Sequence, residues 1–258
     1  NCGLLKAMKF GRLNGERVRP EPHLKGVRCP KCDTELVAKC GKIRAFHWAH
    51  KNKLQCDDWM EDDNEWRDSW LNKFEDSWQE SVIEKGGVSH FADIETDKNT
   101  IILLHQSRLT PEIIREREDF YQTPVWIFNA GLHKQNALNF IKAFEKGWIR
   151  YPRIQNSKNP FLMISEFHVE KVFRREWLSA RFPVFLDYST AKDVQGKVFS
   201  EKLNEIWYLT PFKVQNFRIL YHYSKKDLVE TLQNRIGLSL EQMQEKSIQL
   251  EKKLSKQL

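Results

Sequence analysis

Beyond residue 58 the apolar side chains recur at helical spacing. Trp59, Trp66, Trp70 and Phe74 fall on one face of a helix expected over residues 58–74, with Glu65 and Asp68 beside the stripe. The period then shortens. Residues 78–83, 89–96 and 101–107 read as strands, the last apolar and ending in His105-Gln106-Ser107. Thr110-Pro111-Glu112 opens a helix, with Thr as N-cap and Pro at the first position, that runs to about Tyr121. Residues 124–129 form a short buried strand and 132–146 a helix, while 184–188 and 206–210 are further strands. The chain closes with helices over 225–236 and, after Gly237, from Ser239 onward with Gln242 at the capping-box position. This order predicts an α/β (α+β) fold, a mixed sheet flanked by helices.

Gly11, Gly15, Pro20, Pro22 and Gly26 punctuate the first stretch, so short strands and turns lead into a cysteine-rich segment. Three regions result: a small β module over 1–57, an α/β domain over 58–224 with a basic C-terminal part, and C-terminal helices over 225–258. In the last helix Leu240, Met243, Leu250 and Leu254 line one face. Such a stripe most often packs on its own domain, and otherwise serves a protein partner or self-association through residues 239–258.

The first module carries candidate metal chemistry. Cys29-Pro-Lys-Cys32, His47-Trp-Ala-His50 and Cys56 place a set of soft ligands within 28 residues. The turn in Cys-x-x-Cys brings two thiolates to one ion, and a later His and Cys complete a tetrahedron, so a structural zinc ion on Cys29, Cys32, His50 and Cys56 is expected. His47 competes for the third place, because residues 47 and 50 point to opposite faces of an extended strand. Cys40 falls outside the shell. Four of the five cysteines lie in this stretch, which fits a metal knuckle in a reducing, cytoplasmic compartment better than a disulfide framework. No apolar run approaches a membrane span, and residues 1–13 lack a secretory apolar stretch.

Charge adds a partner. The net charge of +7 is unevenly placed: residues 1–56 hold 13 Lys or Arg against 4 acids, and 57–77 hold nine acids against Arg67 and Lys73. Residues 141–226 again carry 16 basic side chains to 8 acidic ones. There Trp148 and Trp177 lie among Arg150, Arg153, Arg174 and Arg175, a mixture suited to phosphate neutralisation and base stacking on DNA.

A second chemistry is written in the strands at 89–97 and 101–107. Joined by a three-residue loop, they place Asp93 opposite His105 and Glu95 opposite Leu103 on one face, which Glu65 from the preceding helix could also meet. Magnesium- or manganese-dependent phosphodiester cleavage needs hard oxygen ligands and a group that orients the attacking water. Asp93, Glu95 and Glu65 offer the oxygens and His105 the orienting group, with Gln106 on the other face unless a bulge turns it inward.

Asn64-Glu65-Trp66, Trp70, Trp78-Gln79-Glu80, His90-Phe91-Ala92-Asp93, Ser107, the stretch 115–121 and Val125-Trp126-Ile127, with the upstream Cys-x-x-Cys and His-Trp-Ala-His, resemble the competence protein CoiA-like family over roughly residues 10–215. The resemblance implies a PD-(D/E)XK nuclease-like core behind a zinc-binding module, a role in handling DNA, and metal ligation by Glu65 and Asp93. The chain departs from the family pattern at Leu103, where a second carboxylate is expected, in the order of His105 and Gln106, and at Arg67 and Leu71 on the helix. With Leu103 in that place, a nuclease-fold protein that binds nucleic acid without cutting it is the alternative to a hydrolase.

Overall fold

The computed structural model describes residues 7–41, 46–52, 56–61, 64–152, 161–191, 200–234 and 240–255. The chain packs as two compact units, Asn1–Glu95 and Thr96–Leu258.

The first unit begins with strands β1 (Gly11–Leu13) and β2 (Glu16–Val18), paired antiparallel with Gly11 opposite Val18. The two-residue turn between them is Asn14-Gly15, both at positive φ (51° and 86°), the conformation that matches the twist of a tight hairpin. Strands β3 (Leu36–Lys39) and β4 (His47–His50) form a second antiparallel pair. Met8, Val27, Cys29, Leu36 and Trp48 bury a small core that also takes in Met60 and Phe91. The fully buried Trp48 donates its indole N–H to the Val18 carbonyl at 3.0 Å, so its one polar atom is satisfied.

Helix α1 spans only Glu65–Leu71, which corrects the expectation of a helix from residue 58. Local side-chain hydrogen bonds explain the late start: Asp57 Oδ1 accepts from the Trp59 amide at 3.0 Å in a turn, and Asn64 caps the helix by accepting from the Arg67 amide at 3.0 Å. Trp66 and Trp70 are buried on its inner face as expected, and Phe74 is buried beyond its end. Trp59 instead lies flat on His90, ring centroids 3.5 Å apart. Strands β5 (Gln79–Lys85) and β6 (Val88–Glu95) then form an antiparallel hairpin through Gly86-Gly87, both at positive φ.

Among the described residues, seven strands of the second unit lie in the order β7 (Ile101–His105), β8 (Pro124–Asn129), β11 (Val184–Asp187), β12 (Ile206–Val214), β13 (Phe217–Tyr223), β10 (Leu162–Ser165), β9 (Ile149–Arg150). The first three run parallel and the rest pair antiparallel, the mixed sheet that the element order predicts. Every residue of β8 and β11 is buried, which is why these central strands read as continuous apolar runs without alternation. Around the sheet stand helices α2 (Pro111–Tyr121), α3 (Lys134–Glu145), α4 (Glu166–Val172), α5 (Arg175–Ser179), α6 (Ser200–Asn204), α7 (Lys225–Gln233) and α8 (Leu240–Ser255). Thr110 caps α2 with Pro111 in its first turn, as the sequence signals. In α8, Met243 and Leu250 are buried, and Tyr208 of β12 donates its hydroxyl to Met243 Sδ at 3.5 Å, so the helix packs on its own unit. The capping residue expected at Ser239 lies outside the described residues. No helix of the described residues is long and apolar enough to cross a membrane.

Glu118 ties α2 to the sheet. Its fully buried carboxylate accepts from Trp126 Nε1 at 3.2 Å and from the Arg181 amide and Nε, each at 3.0 Å. Burial nevertheless outweighs these donors and raises the carboxyl above its ordinary range. The native state therefore holds this proton more tightly than the unfolded chain, and its contribution to stability falls as pH rises from about 4.3 through the elevated folded value. Denaturant unfolding across that window is expected to show a shallower decline for Glu118→Gln than for the wild type. Truncation by Glu118→Ala is expected to cost about 2–3 kcal/mol, chiefly by orphaning the buried Trp126 N–H.

Candidate metal centre

The turn at Cys29 is built by backbone pairing: the Cys29 amide donates to the Thr34 carbonyl at 2.9 Å, and the Asp33 amide to the Cys29 carbonyl at 3.0 Å. The amides of Cys32 and Lys31 point at Cys29 Sγ, the donors that stabilise a thiolate in such a knuckle. β4 delivers His50, 7% exposed, from the far side, and Cys56 closes the site. One ligand atom from each of Cys29, Cys32, His50 and Cys56 lies within 4.8 Å of all the others. Cys29 Sγ and Cys56 Sγ are 3.7 Å apart, and Cys32 Sγ is 3.3 Å from His50 Nε2. Zinc–sulfur bonds of about 2.3 Å at tetrahedral angles require sulfur–sulfur edges of about 3.8 Å, so the donor set and its spacing fit zinc. A hydrogen bond between the two sulfurs draws the Cys29 thiol down to about 5 and pushes Cys56 up. His47 and Cys40 are not members of this group.

Residues 23–58, which contain all four ligands, match the family model described as Competence protein CoiA, N-terminal domain. Over this segment the chain is similar to the CoiA N-terminal domain. The match to the CoiA N-terminal domain ends at residue 58, and so does not extend to the residues expected to form a nuclease-like core. No curated protein and no solved structure matches the chain.

Just past these four residues, Asp57, Asp58 and His90 form a second convergent group that sequence reasoning missed. Asp57 is a structural tie: its fully buried carboxylate accepts from His90 Nδ1 at 3.0 Å and from the Phe91 amide at 2.7 Å, with Lys31 Nζ 3.4 Å away. Burial opposes its charge, but the His90 and backbone donors and the Lys31 cation together hold the carboxyl below its usual range.

Among the described residues, none of Glu65, Asp93, Glu95 and His105 belongs to a convergent group of metal-ligating side chains. Glu65 is exposed in the first turn of α1, where a negative charge complements the helix dipole. Asp93 and Glu95 lie on β6, partly buried, and neither joins a convergent group among the described residues. Asp93 is held by Arg67: Nε and Nη2 of the guanidinium both lie 2.8 Å from its Oδ1. The same guanidinium reaches Glu80 Oε1 with Nη1 at 3.4 Å, and the Arg67 and Glu80 side chains are each 2% exposed. Glu80 takes a left-handed backbone (φ 48°) inside β5 and accepts the Lys9 amide through Oε2 at 2.8 Å. Nothing in its sequence neighbourhood announces this role.

In the second unit, Leu103 and His105 are buried on β7. His105 packs edge-on against Trp126 and Phe128, and its Nε2 lies 3.0 Å from Ser107 Oγ, while Gln106 is partly exposed past the strand end.

The expected nucleic-acid contacts divide sharply. Trp177 is 2% exposed and packs on Phe128, which corrects the expectation that its ring could stack on a base. Arg174 is largely buried and lies 2.5 Å from Glu176, so it does not offer a free surface charge. Arg175 and Arg150 are exposed, and Trp148 is partly exposed against His168. Arg153 lies outside the described residues.

Proposed function

We propose that this CoiA-like protein binds DNA in competence-related DNA handling in the cytoplasm, with a structural zinc ion in its N-terminal module and without metal-dependent cleavage at Asp93. The observation that carries this reading is the buried pairing of Arg67 with Asp93 and Glu80. Magnesium and manganese need oxygen ligands at close range, usually one or two carboxylates completed by water. A guanidinium bonded to Asp93 Oδ1 neutralises the one carboxylate that the family resemblance assigns to the strand, and its fixed charge repels a second cation at that oxygen. Glu65 is exposed and Leu103 is aliphatic, so the residues present do not fit a hydrolytic metal. The net charge of +7 and the exposed Arg150 and Arg175 support association with a polyanion.

Incubation with single- and double-stranded DNA in magnesium or manganese tests the reading. Expected is DNA binding that weakens steeply with salt, and no cutting that depends on Asp93. Turnover that Asp93→Ala abolishes would overturn the non-catalytic assignment and restore Asp93, Glu95 and Glu65 as metal ligands, with His105 or Gln106 placing the water.

A further inference from the structure

We propose that Phe167, His168 and Trp148 form a stacking platform for the unpaired bases of single-stranded DNA, with Lys146 and Lys171 neutralising its phosphates. The proposal rests on the DNA-binding reading above and adds the form of DNA recognised. Trp148 immediately precedes edge strand β9, while α4 turns Val169 and Val172 into the core and leaves Phe167 73% exposed, the greatest exposure of any large hydrophobic among the described residues. The rings are continuous: His168 lies nearly parallel to Trp148, centroids 4.5 Å apart, and Phe167 meets His168 at 86° and 5.0 Å.

Cations stand over this surface. Lys171 Nζ is 4.3 Å from the Phe167 ring centroid and 5.6 Å from that of Trp148, and Lys146 Nζ is 4.8 Å from the latter. The acids of α4 are engaged elsewhere, Glu166 with Arg218 and Lys213 and Glu170 with Arg175, so the platform keeps a positive field. An exposed apolar ring beneath ammonium groups suits a ligand that brings flat π-faces and negative charge together. Unpaired bases on a phosphate backbone have both properties. Duplex DNA has its base faces stacked inside and offers the lysines only phosphate.

The test measures binding of the full chain to a fluorescent oligothymidine strand and to a duplex of equal length over a range of salt. Phe167→Ala is expected to weaken single-strand binding about tenfold while leaving duplex binding unchanged, and Phe167→Trp to restore it. Changing Lys146 and Lys171 together to Gln is expected to reduce the single-strand salt slope by about 1.4. Because Phe167 is exposed, its variants should melt with the wild type, which separates a lost contact from a lost fold. Wild-type affinity in Phe167→Ala, or an equal loss for duplex, overturns the platform and leaves DNA binding intact. Failure of the wild type to bind either form removes the DNA-binding reading itself and the platform with it.

Discussion

Chelation of the metal is expected to unfold the N-terminal module, with new tryptic cuts after Lys31 and Lys39 that are absent from the metal-loaded protein. The reason is the size of the module. Its core is a handful of side chains around Trp48, too few to offset the entropy of ordering the loops that carry Cys29, Cys32 and Cys56. A zinc ion held by three thiolates and an imidazole would supply the missing stability, since apparent binding free energies of such sites run to about 10–16 kcal/mol. Purified protein should therefore contain about one zinc per chain. Cys56→Ser should lose the metal and reproduce the chelated digestion pattern, whereas His47→Ala, outside the ligand group, should retain both metal and protection. A zinc content below about half an ion per chain, or digestion that ignores chelator, would remove the metal centre.

Arg67→Met is expected to destabilise the first unit by about 3–5 kcal/mol, because it leaves Glu80 and Asp93 as buried or part-buried charges without their cation. The loss comes from the stranded carboxylates more than from the broken bonds. Neutralising them together, as in Arg67→Met with Glu80→Gln and Asp93→Asn, is therefore expected to recover much of the stability lost in the single variant. Denaturant midpoints followed on the two backgrounds give the comparison. A single variant within about 1 kcal/mol of wild type would mean that Arg67 acts as an ordinary surface ion pair and does not keep a metal from Asp93.

The metal centre and the Arg67 cluster differ in how far the sequence revealed them. The group of candidate metal ligands was legible because the knuckle is local. Cys29 and Cys32 share one turn, and strand parity puts His47 and His50 on opposite faces, though only the structure places His50 rather than His47 in the group. Helix α2 was legible for the same reason, since Thr110 and Pro111 specify its first turn by themselves. Helix α1 was over-extended because an apolar spacing does not register the side-chain hydrogen bond by which Asp57 holds the Trp59 amide in a turn.

At the expected hydrolytic site, sequence reasoning named Arg67 only as a departure from a pattern and Glu80 only within the resemblance, with no role for it. Neither residue type discloses that a guanidinium on α1 will meet carboxylates 13 and 26 positions along the chain. The basic segment posed the same difficulty in another form. Trp148 and Trp177 have similar neighbours in sequence, yet one lies at the surface beside His168 and the other inside against Phe128.

By itself, then, the sequence determined many of the elements, the mixed sheet flanked by helices, the cysteines of the candidate metal centre and the excess of positive charge. All of these are written in periodicity, spacing and residue type over a few neighbouring positions. Tertiary structure alone decided which charges neutralise one another and which rings face water. Burial and ion pairing depend on groups that the fold brings together from distant parts of the chain, and their energies change with an environment that no short window of sequence contains.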